Sequence, residues 1–497
     1  MENRRFHFLS VILQIASFFK SWFFPLLLIF VFNFNNDALL WTIARYVALF
    51  FIVWSIIEAI LTWRTTTYRF EEEQVVLKHG IFSKTRQTID YDRIQNIQRK
   101  TSALHKILGL TTLTLETGAT GDDASIELDA IRPEEATEIE RKLHAKRKQI
   151  TFGPQLPSAQ WDMRLSEASE PAIEFTSKEQ RTLHFEPTER DTVRATFASL
   201  SFFALIPILA TLFFKAIDLF KLEDQASRWV DLFSGNWLLI TAASIALLLI
   251  SLVFGLIITY FRFGRFMIES DDERVYIQRG IFSEQSFTMK KKNVQGIQIE
   301  QTFLKRLLKL SQIKLISVGK IGDIEQEANS LYPFLPVKKS ASLLADILPQ
   351  FAIQPTLEKL PKSSLWMKLI RLPIFAIIVF IIIHFWGKSY WWGALALFLT
   401  YAGRLLEYIF TRYQIDGEHI VLKTGAWTTE TFITKRNLII EIEVKRSAFQ
   451  KMFGLCTVVM TNRSKPIHVH TIQDVPTDFA ETFIQWYANR QVETFES

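Results

Sequence analysis

The feature that most constrains this chain is a block of about fifty residues that recurs three times without gaps, each copy preceded by hydrophobic stretches. The copies align on Gly80, Gly280 and Gly425. Directly after these glycines come Ile81-Phe82-Ser83, Ile281-Phe282-Ser283 and Ala426-Trp427-Thr428. Seventeen residues after them stand Ile97, Ile297 and Ile442; twenty-four after, Leu104, Leu304 and Phe449; thirty after, Leu110, Leu310 and Leu455. Self-similarity at fixed offsets means that one supersecondary unit is used three times. The organisation to expect is a membrane hairpin plus a small globular domain, repeated.

Charged residues are 22% of the 497 and the mean hydropathy is only +0.14, so about a third of the chain is strongly apolar and the rest ordinary. Six stretches approach the roughly 20 apolar residues that cross a bilayer: 16–34, 39–63, 197–214, 237–261, 369–386 and 391–409. They pair into three hairpins. Residues 35–38 join the first pair and 387–390 the last; the middle connection is longer and nearly neutral. Each hairpin has a proline in its first span, Pro25, Pro207 or Pro373, which a helix tolerates near its start. Lys/Arg bias in short flanks sets orientation. Arg4, Arg5, Lys20, Arg64, Arg69, Arg190, Arg194, Arg262, Arg265, Lys368, Arg371, Arg404 and Arg412 lie on the side of the globular blocks, against Lys215, Lys221, Arg228 and Lys388 opposite. Both termini and all three blocks are therefore expected in the cytoplasm, with the chain multipass in the cytoplasmic (inner) cell membrane. Lys20 interrupts the first apolar run and no small-residue cleavage site follows, so a retained anchor is expected there.

Within copy one, β-forming runs cover 66–70, 74–79, 82–90 and 93–100, with breaks at EEE and His79-Gly80. Residues 102–108 have helical spacing and Gly109 ends them; alternating runs follow at 110–116 and 125–131. Pro133 then opens an amphipathic helix, PEEATEIERKLHAK, acidic at its start and basic at its end. Copy three closes in the same way from Pro476, and copy two with LYPFLPVKKSASLLADIL. Gly109 and Gly454 match, but copy two has Lys309 there, so its short helix is expected to end by another route.

The segments RIQNIQRKTSALHKILGLTTLTL, NVQGIQIEQTFLKRLLKLSQIKL and NLIIEIEVKRSAFQKMFGLCTVV resemble the bacterial pleckstrin-homology-like (PH-like) domain. Its signature is an Ile-Gln or Ile-x-x-Ile segment, a short amphipathic helix, then Gly-Leu and alternating β residues. Two spans then one such domain, three times over, resembles the YdbT-type multipass membrane proteins along nearly the whole chain. The resemblance implies a membrane α fold of six transmembrane helices in three hairpins, plus three α+β PH-like small barrels, each capped by a C-terminal helix. It also implies a smaller membrane partner bearing one such domain. It implies little about activity, because fold does not fix function. The expected segments are an N-terminal region and hairpin at 1–63, a PH-like domain at 64–147, a linker at 148–192 and a hairpin at 193–261. A domain at 262–349, a linker at 350–366, a hairpin at 367–411 and a domain at 412–497 follow.

Motifs for chemistry are sparse. No phosphate-binding glycine loop, HExxH, GxSxG or CxxC pattern occurs, so no catalytic residue, cofactor or metal site is assigned. The single cysteine, Cys456, excludes an intrachain disulfide framework and reads as core. His468 and His470 share one face of a strand, but two ligands without a placed third read as a solvated strand pair. Glu127 and Asp129, near GATGDD, lack calcium-loop spacing. Arg45, Glu58, Arg404 and Glu407 are polar positions within spans, and such groups are functional candidates. Near the interface Glu58, Arg404 and Glu407 can instead snorkel or pair locally. Lys290, Lys291, Lys292, Lys435 and Arg436 are candidate lipid head-group contacts. No nucleic-acid partner is expected; membrane lipids are. The reading is a non-enzymatic membrane scaffold that presents three PH-like domains to protein partners. A transporter or export component using the six spans, and an anionic-lipid-sensing module using the basic faces of domains two and three, are the alternatives.

Overall fold

The computed structural model describes residues 4–33, 38–117, 125–141, 181–199, 236–317, 330–353, 356–386, 391–464 and 467–489, apart from positions 72 and 82 and with 211 and 217 in addition. The chain divides into two compact units, Met1–Leu183 with Pro207–Ser244 and Phe261–Met289, and His184–Ile206 with Ile245–Tyr260 and Lys290–Ser497. The division passes through the second sequence copy, after Met289.

A short strand β1 (Arg4–Arg5) precedes the first hairpin, and copy one supplies β2 (Thr67–Phe70), β3 (Gln74–His79), β4 (Thr85–Asp90), β5 (Ile94–Thr101), β6 (Thr111–Thr117) and β7 (Ser125–Ile131). A short strand β8 (Thr182–Phe185) precedes copy two, which supplies β9 (Met267–Ser270), β10 (Arg274–Arg279), β11 (Glu284–Lys290), β12 (Val294–Gln301), β13 (Leu310–Ser317) and β14 (Leu335–Pro336). After β15 (Glu358–Lys359), copy three supplies β16 (Arg412–Asp416), β17 (His419–Gly425), β18 (Thr429–Lys435), β19 (Ile439–Lys445), β20 (Leu455–Asn462) and β21 (His468–Pro476).

In the first unit β1-β2-β3-β4 form one antiparallel sheet, and a second runs β7-β6-β5-β11-β10-β9. Tyr68, Val75, Leu77 and Ile89 of the first sheet pack with Leu113, Leu115, Ile126 and Leu128 of the second. Ala136 and Ile139, from the expected closing helix at 133–141, complete this core. In the second unit one sheet runs β14-β13-β12-β18-β17-β16-β15 and the other β19-β20-β21. Tyr413, Ile420, Leu422 and Phe432 there meet Cys456, Val458, Met460, Ile472, Ala480, Phe483 and Trp486. Cys456 is buried, as a core residue should be. The expectation of three barrels, one per copy, needs amending: the later strands of copies one and two join the earlier strands of the next copy.

The repeated glycine is explained by its turn. Gly80, Gly280 and Gly425 have φ of 115°, 93° and 113°, and a Cβ at each would stand 1.9–2.0 Å from the carbonyl oxygen three residues on. Any side chain at these positions collides with backbone. The short helices start alike too: the hydroxyls of Ser102, Thr302 and Ser447 accept from the amides of His105, Lys305 and Gln450. They also end alike. Lys309 has φ 55°, beside 66° for Gly109 and 65° for Gly454, so copy two uses the same left-handed turn and not another route.

The membrane segments depart further from expectation. Among the described residues three helices are long and apolar enough to cross a bilayer, Leu39–Thr65, Trp237–Phe263 and Trp391–Phe410, where six were expected. A fourth candidate is a pair, Ser10–Ser21 and Phe23–Val31, bent by 66° at Trp22, three residues before Pro25. Proline there forfeits an amide donor in the first turn, where it is tolerated. The stretch beginning at 369 is divided by Pro373 into the end of helix Lys362–Ile370 and the 13-residue helix Ile374–Trp386, too short to qualify. Most of 197–214, the GATGDD turn and most of the 148–192 linker lie outside the described residues.

Candidate functional site

The most repetitive geometry in the molecule is the seam between copies. Residues of β5 and β11 pair antiparallel, with Ile97 opposite Thr288 and Thr101 opposite Glu284. Residues of β12 and β18 do the same, with Ile297 opposite Ile433 and Gln301 opposite Thr429. Counted from the copy glycines, Ile97 and Ile297 are both at offset 17, and Thr288 and Ile433 are both at offset 8. The two seams therefore have one register. A second contact repeats as well. Lys106 Nζ donates to the Ile281 carbonyl at 3.2 Å and pairs with Glu284 at 2.6 Å; Arg306 donates to the carbonyls of Ala426 at 3.1 Å and Trp427 at 2.9 Å. Lys106 and Arg306 both stand at offset 26, and Ile281 and Ala426 both at offset 1.

Two strands of the same kind end their sheets. β4 closes the order β1-β2-β3-β4, and β19 opens the order β19-β20-β21. On β19, Ile440 is 51% exposed and Val444 37%, whereas Gln295, the counterpart of Ile440 in the paired strand β12, is 9% exposed. Lys451, the counterpart of Lys106 and Arg306, is exposed on the short helix that follows this edge strand.

A second arrangement sits where the last long helix meets copy three. Lys368 Nζ lies 2.6 Å from Glu407 and 3.6 Å from Asp474. Asp474 is wholly buried and also meets Arg371 at 3.3 Å and the Gln450 amide at 2.9 Å. Ser364 Oγ donates to the Asp474 carbonyl at 2.5 Å. The helices Lys362–Ile370 and Trp391–Phe410 are thus clamped to β21 by charge pairs centred on the buried Lys368 and Asp474.

This clamp takes up two of the intramembrane candidates. Glu407 pairs with Lys368 of another helix, and Arg404 donates to the backbone carbonyls of Arg371 and Leu372. Neither pairs with the other, because the Lys362–Ile370 helix brings its charge and its open C-terminal carbonyls within reach. Arg45 Nε donates to the Trp41 carbonyl one turn back at 3.3 Å. Glu58 is exposed on the helix Leu39–Thr65. The basic candidates scatter. Lys292 is exposed, Lys290 and Lys291 are half-buried, and Lys435 is half-buried 4.0 Å from Glu418. Arg436 turns inward: it is 8% exposed and donates to the Trp486 carbonyl at 3.2 Å while its guanidinium lies over the indole. The residues that sequence reasoning missed are Lys368 and Asp474, whose pairing joins parts of the chain far apart in sequence.

The histidine reading needs correction too. His470 is 4% exposed, not solvated, and both imidazoles lie against Phe432, at 4.6 Å for His468 and 5.4 Å for His470. Glu430, on the neighbouring sheet, supplies the third ligand type that the sequence had not placed. Contact with His470 holds the Glu430 carboxyl below the usual carboxylate range, and burial pushes the His468 imidazole below its ordinary value.

Antiparallel sheets with short capped helices, carried on apolar helices, define a membrane protein built from small β-rich domains. The family model described as "Bacterial PH domain" matches residues 11–147, 208–350 and 367–491, and the chain belongs to that family. The chain is also similar to the UPF0699 transmembrane protein YdbT of Bacillus subtilis (strain 168), with 24% identity covering 98% of each chain. No solved structure matches.

Proposed function

We propose that this protein is a non-enzymatic, multipass scaffold of the cytoplasmic membrane, with its termini and PH-like domains in the cytoplasm. On this reading it assembles, edge to edge, with a smaller membrane protein that carries one PH-like domain. The observation that carries the reading is the edge of β19, which among the described residues pairs with no strand but β20, though the Tyr487 hydroxyl donates to its Ile440 carbonyl, and which is equivalent to strands that in copies one and two are already covered by a following copy. Adding a strand to an exposed sheet edge gives main-chain hydrogen bonds without a pocket, and three tethered domains gain avidity from weak contacts. The Lys/Arg bias of the flanks supports the orientation. Against transport, Arg404 and Glu407 are engaged in a clamp between helices and a globular domain.

One observation favours lipid contact as a second role. Ile107, Leu307 and Met452, all at offset 27, are 79%, 69% and 79% exposed on the short helices, next to Lys106, Arg306 and Lys451. An apolar tip beside a cation suits an anionic leaflet. These tips support the short helices as lipid contacts alongside the basic positions Lys290–Lys292.

The test is capture of the full-length protein from native membranes in mild detergent, comparing wild type with an Ile440→Lys, Val444→Lys variant. Charges on an edge strand block strand addition. The scaffold reading expects a stoichiometric PH-like partner with wild type, lost in the variant at unchanged melting temperature. Equal recovery of the partner with both proteins, or recovery of a second copy of this chain alone, contradicts it.

A further inference from the structure

We infer that Glu430, His468 and His470 form a metal site in copy three, with a donor set suited to zinc or a similar late first-row divalent ion. Strand alternation fixes the two histidines: on β21 they lie two apart, opposite Asn462 and Met460 of β20, so their side chains share one face. Glu430 and Phe432 are likewise two apart on β18, and Phe432 touches both imidazoles, so Glu430 projects toward the same place. One ligand atom from each of the three lies within 4.8 Å of the others, and Glu430 Oε1 is 3.7 Å from His470 Nδ1.

A hydrogen-bonded histidine pair would leave nothing to explain, but these two leave something. The Nε2 atoms of His468 and His470 are both buried without a hydrogen-bond partner, and His470 is more than nine-tenths buried. Buried polar atoms are ordinarily satisfied, because leaving one unpaired forfeits its hydration with no return. A cation that takes those Nε2 atoms as its ligands removes that cost. Metal–ligand bonds of about 2.0–2.2 Å require the donor atoms to draw closer together than the 4.8 Å that bounds them here. Two imidazoles and one carboxylate favour zinc, cobalt or nickel over magnesium or calcium, and three protein ligands leave a coordination position open.

The surroundings support the ligands. Phe432 limits where the two rings can swing, and it has room only because residue 296 is glycine: a Cβ there would stand 2.7 Å from the Phe432 ring. The site belongs to copy three alone. The position equivalent to Glu430 is Thr85 in copy one and Gln285 in copy two, so fold maintenance common to all copies does not account for it.

The experiment uses the full-length protein in detergent, stripped with chelator, titrated with Co2+ and followed by visible absorption, then by displacement with Zn2+. The expected result is one equivalent of Co2+ with d–d bands typical of low coordination, displaced by Zn2+, and a melting temperature raised by Zn2+. Glu430→Gln, His468→Gln and His470→Gln should each weaken binding by more than about tenfold, and Zn2+ should no longer raise their melting temperature. Glu430→Gln keeps shape and removes charge, so its metal-free melting temperature reports whether the variant has folded. Absence of Co2+ bands in wild type, or bands that persist in all three folded variants, overturns the assignment.

Discussion

Ile297 stands directly opposite Ile433 across the seam between β12 and β18, Ile297 seventeen residues past Gly280 and Ile433 eight past Gly425. Ile97 and Thr288 repeat that relationship at the other seam. The copies therefore meet through a reproducible join, and the turn at each glycine sets where the joining strand begins. At Gly425 a Cβ would stand 2.0 Å from the Thr428 carbonyl oxygen, whereas at Gly417 nothing lies within 4 Å. Both have positive φ. Gly425→Ala should therefore cost about 3 kcal/mol or more and Gly417→Ala only about 1 kcal/mol. Thermal unfolding of the two variants in one detergent checks the ranking.

Lys309 offers the opposite change. It holds φ 55°, in a turn where copies one and three have glycine. Lys309→Gly relieves left-handed strain of about 1–2 kcal/mol but adds unfolded-state freedom, leaving a net gain of about 0.5–1 kcal/mol. The melting temperature should rise, and a fall would mean that the lysine side chain contributes more than its backbone costs.

The clamp at Asp474 predicts a large loss. With Lys368 only 2% exposed and Asp474 wholly buried, Lys368→Met strands a carboxylate whose remaining cation, Arg371, is 41% exposed. Breaking a buried pair from one side costs about 3–5 kcal/mol. Arg93→Met, which removes an exposed pair with Asp90, should change stability by less than about 1 kcal/mol. Comparable losses in the two variants would refute the clamp.

His105 predicts a pH response. Its Nδ1 lies 2.6 Å from Ser102 Oγ and its Nε2 3.1 Å from Thr112 Oγ1. Burial lowers its pKa from the ordinary 6.5. The unfolded chain then takes up the proton first, so stability is full above the ordinary value and declines as pH falls toward the lowered one. Below both values the loss is complete and flat. His105→Gln should remove this part of the acid sensitivity, measured as the difference in melting temperature between about pH 7.5 and about pH 5.5, roughly one unit either side of the ordinary value.

Much of this architecture is legible in the sequence because fixed offsets, turn glycines and helix caps are local signals. Ile97 and Ile297 take equivalent seam positions, as their shared offset implies, and Gly109 ends its short helix where expected. What is illegible is who pairs with whom. Alternation tells which face of β11 is buried but not that β5 lies beside it. The same limit hid Glu430 from His468 and His470, and Lys368 from Asp474, since each pairing joins separate elements. Hydropathy counts residues along a stretch and cannot see the bend at Trp22 or the break at Pro373, so among the described residues three continuous helices and one bent pair qualify as spans, with most of the expected span 197–214 outside those residues.

Disulfide trapping across both seams tests the central claim most directly, in native membranes and a Cys456→Ser background. Directly opposed residues of antiparallel strands have Cα atoms about 4.5–5.5 Å apart, within disulfide range. The opposed pairs are Lys100 with Gln285 and Gln301 with Thr429. With a protease site inserted between the partners, mild oxidation of Lys100→Cys, Gln285→Cys and of Gln301→Cys, Thr429→Cys should hold each cut chain together. Pairs displaced by two residues, Lys100→Cys with Phe287→Cys and Gln301→Cys with Thr431→Cys, should fall apart. Trapping of the displaced pairs in preference to the opposed ones, or of neither, would contradict a common register between the copies.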